Sequence, residues 1–338
     1  MEFRSFLRYP VQRLFRAEEN GNSPELNRRI EVILPEIVVR VEDLRKSYGE
    51  VLAVDGISLC VSRGEIFGIV GPNGAGKTTI MDCIVSMRKP DSGFITVLDL
   101  DPLRQRKALL KKVGIQQQES ELPDRMKVWE AIDLFSCFYG NPADTSGILS
   151  RLGLSGKKES YFSALSGGQK KRLFVALSLV GDPEIVFLDE LTSGLDPRSR
   201  RSMWDLVRAL RDDGKTVFLS THYMDEVEKL CDRVAIIDNG KIVAMDTPES
   251  LIRSHAFALS VVMGIPDSFN GKEIELIPGV VEAFREGGKT VARVRDSSAV
   301  IEIVKLLVDR EIELGDFHTE KSTLEDVFLK LTGKEIND

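Results

Sequence analysis

The chain has 338 residues, 53 acidic side chains against 46 basic ones, and a net charge of −7. That length suits one large domain and one small one. The acidic balance argues against a nucleic-acid partner, which needs a basic face. No apolar run nears the length that spans a bilayer, and the first residues lack the apolar core and cleavage site of a secretory signal. Cys60, Cys83, Cys137 and Cys231 are widely spaced, with no C-x-x-C pair. They read as free thiols in a reducing cytoplasm, not as disulfides or zinc ligands.

Residues 1–35 read as an extension. Phe3, Phe6, Leu7, Val11, Leu14 and Phe15 alternate with Arg4, Arg8, Arg13 and Arg16, a pattern open to a basic amphipathic helix on a membrane surface. Pro10 and the loop-like stretch 18–24 favour a loosely docked terminus instead. From Ile37, short strands broken by Gly and Asp (37–41, 44–49, 51–59) predict a small antiparallel sheet. Tyr48 lies in it, and an aromatic there can stack on a base, although an ordinary strand residue is the plainer reading.

The stretch Gly71-Pro72-Asn73-Gly74-Ala75-Gly76-Lys77-Thr78-Thr79 organises the rest. An apolar strand, 66–70, precedes it and a helix follows. Strand, glycine-rich loop and helix are the setting of a phosphate-binding P-loop. The glycines let backbone N–H groups turn inward around a polyphosphate, and the helix start adds its own free N–H groups and partial positive charge. Lys77 would reach the β- and γ-phosphates and the Thr78 hydroxyl would ligate Mg²⁺.

Next come strands at 94–98 and 113–118, the second ending in Gln116, Gln117 and Gln118. A glutamine at such an end can reach a metal or water beside the phosphates; the residues leave open which one. Residues 125–180 are helical in pattern, with Leu165-Ser166-Gly167-Gly168-Gln169 opening a strong helix. Small residues at that start suit an anion, and Ser166 also suits a plain N-cap. The run Ile185-Val186-Phe187-Leu188 predicts a strand buried on both faces of a parallel sheet. Asp189 and Glu190 follow. Asp189 needs a cationic partner if buried, which Mg²⁺ would supply; Glu190, expected on the other side of the strand, would polarise an attacking water.

The turn 191–197 leads into a helix over 198–212. A further buried strand, 216–220, ends beside His222, placed to bond a γ-phosphate. Val234–Val243 forms a hairpin with an Asn-Gly turn. The remainder predicts a small α+β domain, with strands near 256–264, 272–277 and 290–295, helices near 297–309 and 323–332, and a capping box Ser322-x-x-Glu325. No catalytic constellation is visible in it.

Taken together, these residues resemble the ATP-binding subunit of an ABC transporter over about 36–250. The likeness rests on six motifs in the family's order: the P-loop 71–79, Gln118, Leu165–Gln169, Asp189-Glu190, the loop Ser193–Pro197 with Asp196, and His222. Leu191 departs from the proline the family often has. The tail Ser322–Gly333 resembles that of the daunorubicin-type exporter ATPases. The resemblance implies an α/β fold: a P-loop NTPase core of mostly parallel sheet with flanking helices, an antiparallel β subdomain, a helical subdomain and a small C-terminal domain from 251. It implies ATP as substrate and Mg²⁺ as cofactor, with Tyr48 stacking the base, Gln118 joining Thr78 and Asp189 at the metal, and Glu190, His222 and Lys77 as catalytic residues. It further implies a head-to-tail pair with a second copy or a paralogous ATPase, in which the P-loop of one chain faces Ser166–Gln169 of the other. A separate ABC-2-type membrane permease would be the partner, no nucleic acid would be involved, and the chain would sit peripherally on the cytoplasmic face of the membrane. The alternatives are a soluble ABC-type ATPase acting on ribosomes or DNA, which usually carries two cassettes or a coiled-coil insertion, and a regulatory module that hydrolyses little.

Overall fold

A computed structural model describes residues 35–118, 120–140, 142–255, 259–266, 269, 271–312 and 315–333. The extension at 1–34, and with it the amphipathic-helix reading, lies outside them.

Two long strands come first, β1 (Ile37–Tyr48) and β2 (Val51–Ser62). The break expected at 42–43 is a register shift inside a continuous strand, whereas that at 49–50 is the turn between β1 and β2. Asp43, at φ 45°, and Gly56, at φ 74°, absorb the bends, so the strands curve without ending. Then follow β3 (Ile66–Val70), the P-loop, α1 (Lys77–Ile84) and β4 (Ser92–Val97). β2, β1 and β4 make the antiparallel sheet. One turn of helix, α2 (Arg106–Leu109), leads to β5 (Val113–Gln116).

The predicted helical stretch resolves into α3 (Val128–Ser136), α4 (Thr145–Arg151) and α5 (Gly167–Leu179). After it come β6 (Ile185–Asp189), α6 (Pro197–Asp212), β7 (Thr216–Thr221) and α7 (Met224–Leu230). The hairpin β8 (Arg233–Asp238) and β9 (Lys241–Asp246) and helix α8 (Pro248–His255) follow.

The central sheet has the order β5-β6-β7-β3-β8-β9. It is parallel except for β9. Every residue of β3, β6 and β7 is buried, as expected of strands covered on both faces. One core packs the helices against one face; a second core joins the other face to α1 and the antiparallel sheet.

The C-terminal part holds β10 (Leu259–Met263), α9 (Lys272–Glu275), β11 (Val280–Glu286), β12 (Lys289–Val294), α10 (Ser297–Asp309), β13 (Phe317–Lys321) and α11 (Leu324–Thr332). Its sheet order β11-β12-β10-β13 and its β-α-β-β-α-β succession give a split βαβ arrangement with its own core. The strand expected at 272–277 is instead the short helix α9. Its Lys-Glu-Ile-Glu-Leu-Ile alternation mimics a strand, but only Ile274 is buried at 0 % exposure while Leu276 is 82 % exposed. The adjacent strand, β11, was hidden because a register shift between Val280 and Glu282 breaks its alternation. The capping box lies one residue later than expected: Thr323 N–H donates to Asp326 at 2.8 Å, and Asp326 N–H donates to the Thr323 hydroxyl at 3.4 Å.

Helix α11 does not stay with the sheet it follows. Leu324, Val327 and Phe328 are fully buried among the helices that cover the central sheet, with Val227 and Leu251 in the same core. Leu324 N–H donates to Glu228 of α7 at 2.5 Å.

Candidate functional site

The strand order assembles the site. β5, β6, β7 and β3 are consecutive neighbours, so Gln118, Asp189 with Glu190, His222 and the P-loop all emerge at one edge, the carboxyl ends of parallel strands. The register is tight there: Val70 pairs with Thr221, and Asp189 with Ser220.

The P-loop is held by backbone contacts from outside it. Gly76 caps α1 in the left-handed region at φ 102°. A side chain at Gly71 would meet the Ile237 carbonyl at 2.1 Å, and one at Gly76 would meet the Ala53 carbonyl at 2.3 Å. The Asn239-Gly240 turn braces the loop: Gly240 N–H donates to Ala75 O at 3.1 Å and Asp55 N–H to Gly240 O at 2.8 Å. Asn73 and Gly74 are exposed, Pro72 is half-buried, and Ala75 is buried. Thr78 and Thr79 lie in the first turn of α1.

Lys77 is buried and donates to Gly71 O at 2.8 Å and Pro72 O at 3.0 Å. Its ammonium lies 3.8 Å from the Glu190 carboxylate. Burial lowers its pKa, against the pull of Glu190 and Asp189. Asp189 is buried, and the hydroxyls of Ser220 and Thr78 donate to it. Burial nevertheless raises its pKa, the larger effect.

Glu190 differs from expectation in one respect. It does not alternate across the strand, because β6 ends at Asp189 and Glu190 turns off it at φ 47°. That turn brings its carboxylate among three side chains. Gln118 Nε2 donates at 3.0 Å, His222 Nδ1 lies at 3.2 Å, and Lys77 is the third. Of the three glutamines, Gln116 turns to the Gln117 carbonyl at 2.5 Å and Gln117 to the Met87 sulfur at 3.0 Å, which leaves Gln118 at the site. A carboxylate beside a cation, an imidazole and an amide, at the mouth of a phosphate cradle, can take a proton from water attacking a phosphate.

The other expected residues stand elsewhere. Ser166 and Gln169 close a capping box on α5: Ser166 N–H donates to Gln169 Oε1 at 3.0 Å, and Gln169 N–H to the Ser166 hydroxyl at 3.4 Å. Gly167 and Gly168 form the first turn of α5, and among the described residues no hydrogen bond joins Ser166–Gln169 to the P-loop of the same chain. Asp196 caps α6, accepting from the N–H groups of Arg198 and Ser199 at 3.0 Å each. Tyr48 ends β1 at 41 % exposure. Its ring is flanked by Lys46 and Arg88 at 5.6 and 5.5 Å. Leu191, in place of a proline, is buried in the helical core.

Two residues escaped the sequence reading. Ser220, inside an apolar strand, bonds Asp189. Lys171 donates to the carbonyls of Glu190 at 3.1 Å and Ser193 at 2.5 Å. The run Lys170-Lys171-Arg172 carries no signal of this, since it reads as a solvated basic face.

The family model described as ABC transporter matches residues 54–193. The chain is 37 % identical over 309 residues to the Nod factor export ATP-binding protein I of Ralstonia nicotianae, covering 89 % of this chain and 95 % of that one. The chain belongs to the ABC transporter ATP-binding proteins. It is an ATP-binding, ATP-hydrolysing transporter subunit. It is also 33 % identical over 305 residues to the daunorubicin resistance ATP-binding protein DrrA2 of Streptomyces coeruleorubidus, covering 87 % of this chain and 95 % of that one. Among solved structures, an ATP-binding cassette of an ABC transporter in its ADP conformation superposes with a TM-score of 0.58 at 26 % identity, covering 63 % of this ATPase and 92 % of the cassette.

Proposed function

We propose that this ATPase powers export of a drug, lipid or other hydrophobic or polymeric substrate through a separate ABC-2-type membrane permease, which it meets peripherally on the cytoplasmic face. The names of the Nod factor export and daunorubicin resistance relatives support the direction. Among the described residues no helix is long and apolar enough to cross a membrane, so motion here must pass to a spanning partner. Leu134 and Phe138, at 45 % and 69 % exposure in and just after α3, offer the permease an apolar contact in the region that follows Gln118.

The observation that carries the mechanism is the convergence of Lys77, Gln118 and His222 on Glu190. In this reading Glu190 accepts a proton as water attacks the γ-phosphorus, and the bond from that phosphorus to ADP breaks. His222 steadies the γ-phosphate. Lys77 exchanges the carbonyls of Gly71 and Pro72 for phosphate oxygens. Tyr48 stacks on the base.

The donors beside the P-loop fit Mg²⁺. Asp189 offers a buried carboxylate, Thr78 a hydroxyl and Gln118 an amide, the second buried carboxylate, Glu190, being paired with Lys77, Gln118 and His222, and among the described residues no group of three His, Cys, Asp or Glu side chains could hold a metal ion. A sparse oxygen set suits an ion that keeps waters and phosphates as ligands. When bound, Mg²⁺ neutralises charge on the β- and γ-oxygens.

The signature Ser166–Gln169, whose side-chain hydrogen bonds among the described residues are those of its own cap, is placed to face the nucleotide of a second ATPase chain, with Asp196 and its loop beside that interface. Closing such a pair excludes water and completes the site. Size-exclusion chromatography of Glu190→Gln with and without ATP tests this. A dimer formed only with ATP is expected. A monomer with ATP demonstrably bound would overturn the homodimer.

A further inference from the structure

We propose that Lys171 is a positioning residue that fixes the backbone of the catalytic glutamate from the signature helix. The proposal rests on the reading of Glu190 as the base and of Ser166–Gln169 as the surface that meets a second chain's ATP.

Lys171 stands in the second turn of α5, the helix that Ser166 caps. Its ammonium reaches out of the helix to two carbonyls of the loop after β6, Glu190 O at 3.1 Å and Ser193 O at 2.5 Å. The same Glu190 carbonyl closes the turn by accepting from Ser193 N–H at 3.2 Å. Both ends of that turn are therefore tied to one cation.

The turn needs such a tie. Glu190 is a side-chain-bearing residue at φ 47°, a conformation that persists only when its surroundings impose it. The Glu190 N–H is held by Ser220 O at 3.1 Å, so the strand fixes the peptide group before Glu190 and Lys171 the one after it. Lys171 is half-buried, and burial lowers its pKa against the attraction of Glu190 and Glu226. A partly desolvated ammonium must be paid back in hydrogen bonds, which ties it to these two acceptors.

The consequence is a link between two sites. In the head-to-tail pair the first turn of α5 meets the other chain's γ-phosphate. A helix moves as a rigid rod over one turn, so a shift at Ser166 moves the Lys171 ammonium, and with it the carbonyl of this chain's own Glu190. The carboxylate then takes its working position only when the signature is engaged.

The test compares Lys171→Met, which keeps the length and loses the donors, with Lys171→Arg, which keeps a cation, in the full chain. ATP affinity is measured with a fluorescent ATP analogue and Mg²⁺, alongside kcat, KM and thermal melting. We expect kcat of Lys171→Met to fall between about tenfold and a hundredfold with ATP affinity within about threefold, since displacement of a reacting group costs turnover and not binding. Lys171→Arg should recover most of that loss. A folded Lys171→Met with kcat within about twofold of the unchanged chain would overturn the proposal, as would a parallel loss of affinity, kcat and melting temperature. If Lys171→Met melts below the assay temperature, Lys171→Gln is judged by the same criteria. Glu190→Gln, assayed beside them, separates the two failures. If it turns over normally, the reading of the base is wrong; if it is inactive while Lys171→Met is active, only the present inference fails.

Discussion

Lys77 and Glu190 lie 3.8 Å apart and are both almost wholly withdrawn from solvent. They are far apart in the chain, and the insertion of β7 between β3 and β6 in the sheet still leaves their strand ends facing one mouth. The pair joins the group that would grip phosphate to the group that would activate water.

Glu190→Gln keeps the shape and the hydrogen bond to Gln118 but cannot take a proton. ATP should still bind, with turnover slowed at least about a hundredfold. Steady-state phosphate release decides it, and near-normal turnover removes Glu190 from the role.

Lys77→Ala removes the cation and leaves two buried carboxylates, Asp189 and Glu190, without it. Hydrogen bonds to charged groups are worth about 1.5–3 kcal/mol, so ATP affinity should fall by roughly ten- to a hundredfold. Equilibrium binding of labelled ATP measures it.

Gly76→Ala should damage folding before it damages chemistry. The added methyl would meet Ala53 O at 2.3 Å, from a backbone at φ 102°. Strain of that kind costs about 1–3 kcal/mol before the clash is counted, read as a shift in the urea midpoint without nucleotide.

Glu226 gives a pH dependence. It is buried and accepts from Trp204 Nε1 at 3.1 Å, its second carboxylate oxygen has no hydrogen-bond partner among the described residues, and burial raises its pKa against the opposing bond from Trp204. Between the ordinary and the raised value the folded chain therefore binds more protons at this group than the unfolded chain does. Its contribution is full below the ordinary glutamate value, about 4.3, and is lost as pH rises from there through the raised value. Glu226→Gln abolishes that loss, so its melting temperature relative to the unchanged chain should climb between acid and neutral pH. A relative melting temperature that falls instead would mean an ionised, well-paired carboxylate.

Phe328→Ala probes the returning helix α11. Phe328 is fully buried in the cassette core, and truncating such a side chain costs about 3–5 kcal/mol. The cassette itself should melt earlier, although the change lies far along the chain from the P-loop. Unchanged cassette melting would show that α11 contributes nothing to it.

Much of the site was legible in order along the chain. The P-loop, the buried run ending in Asp189-Glu190 and the strand before His222 each carry a local signature of apolar residues and then polar ones. The Ser166 cap was legible for the same reason. Strand 272–277 failed because a single exposed turn shares the alternation of a strand, and β11 was missed because a bulge erases that alternation.

The sequence by itself determined which segments are strands buried on both faces, where the glycine-rich loop joins strand to helix and which acids end a strand, because burial and loop chemistry are written in neighbouring residues. Only the tertiary structure decided that Gln118 and not Gln116 reaches Glu190, that the Asn239-Gly240 turn braces the P-loop, that Lys171 holds the glutamate's loop and that α11 returns to the cassette. Each of these is a contact between residues distant in sequence. It follows from strand order and from the left-handed turn at Glu190, and neither can be read from local composition.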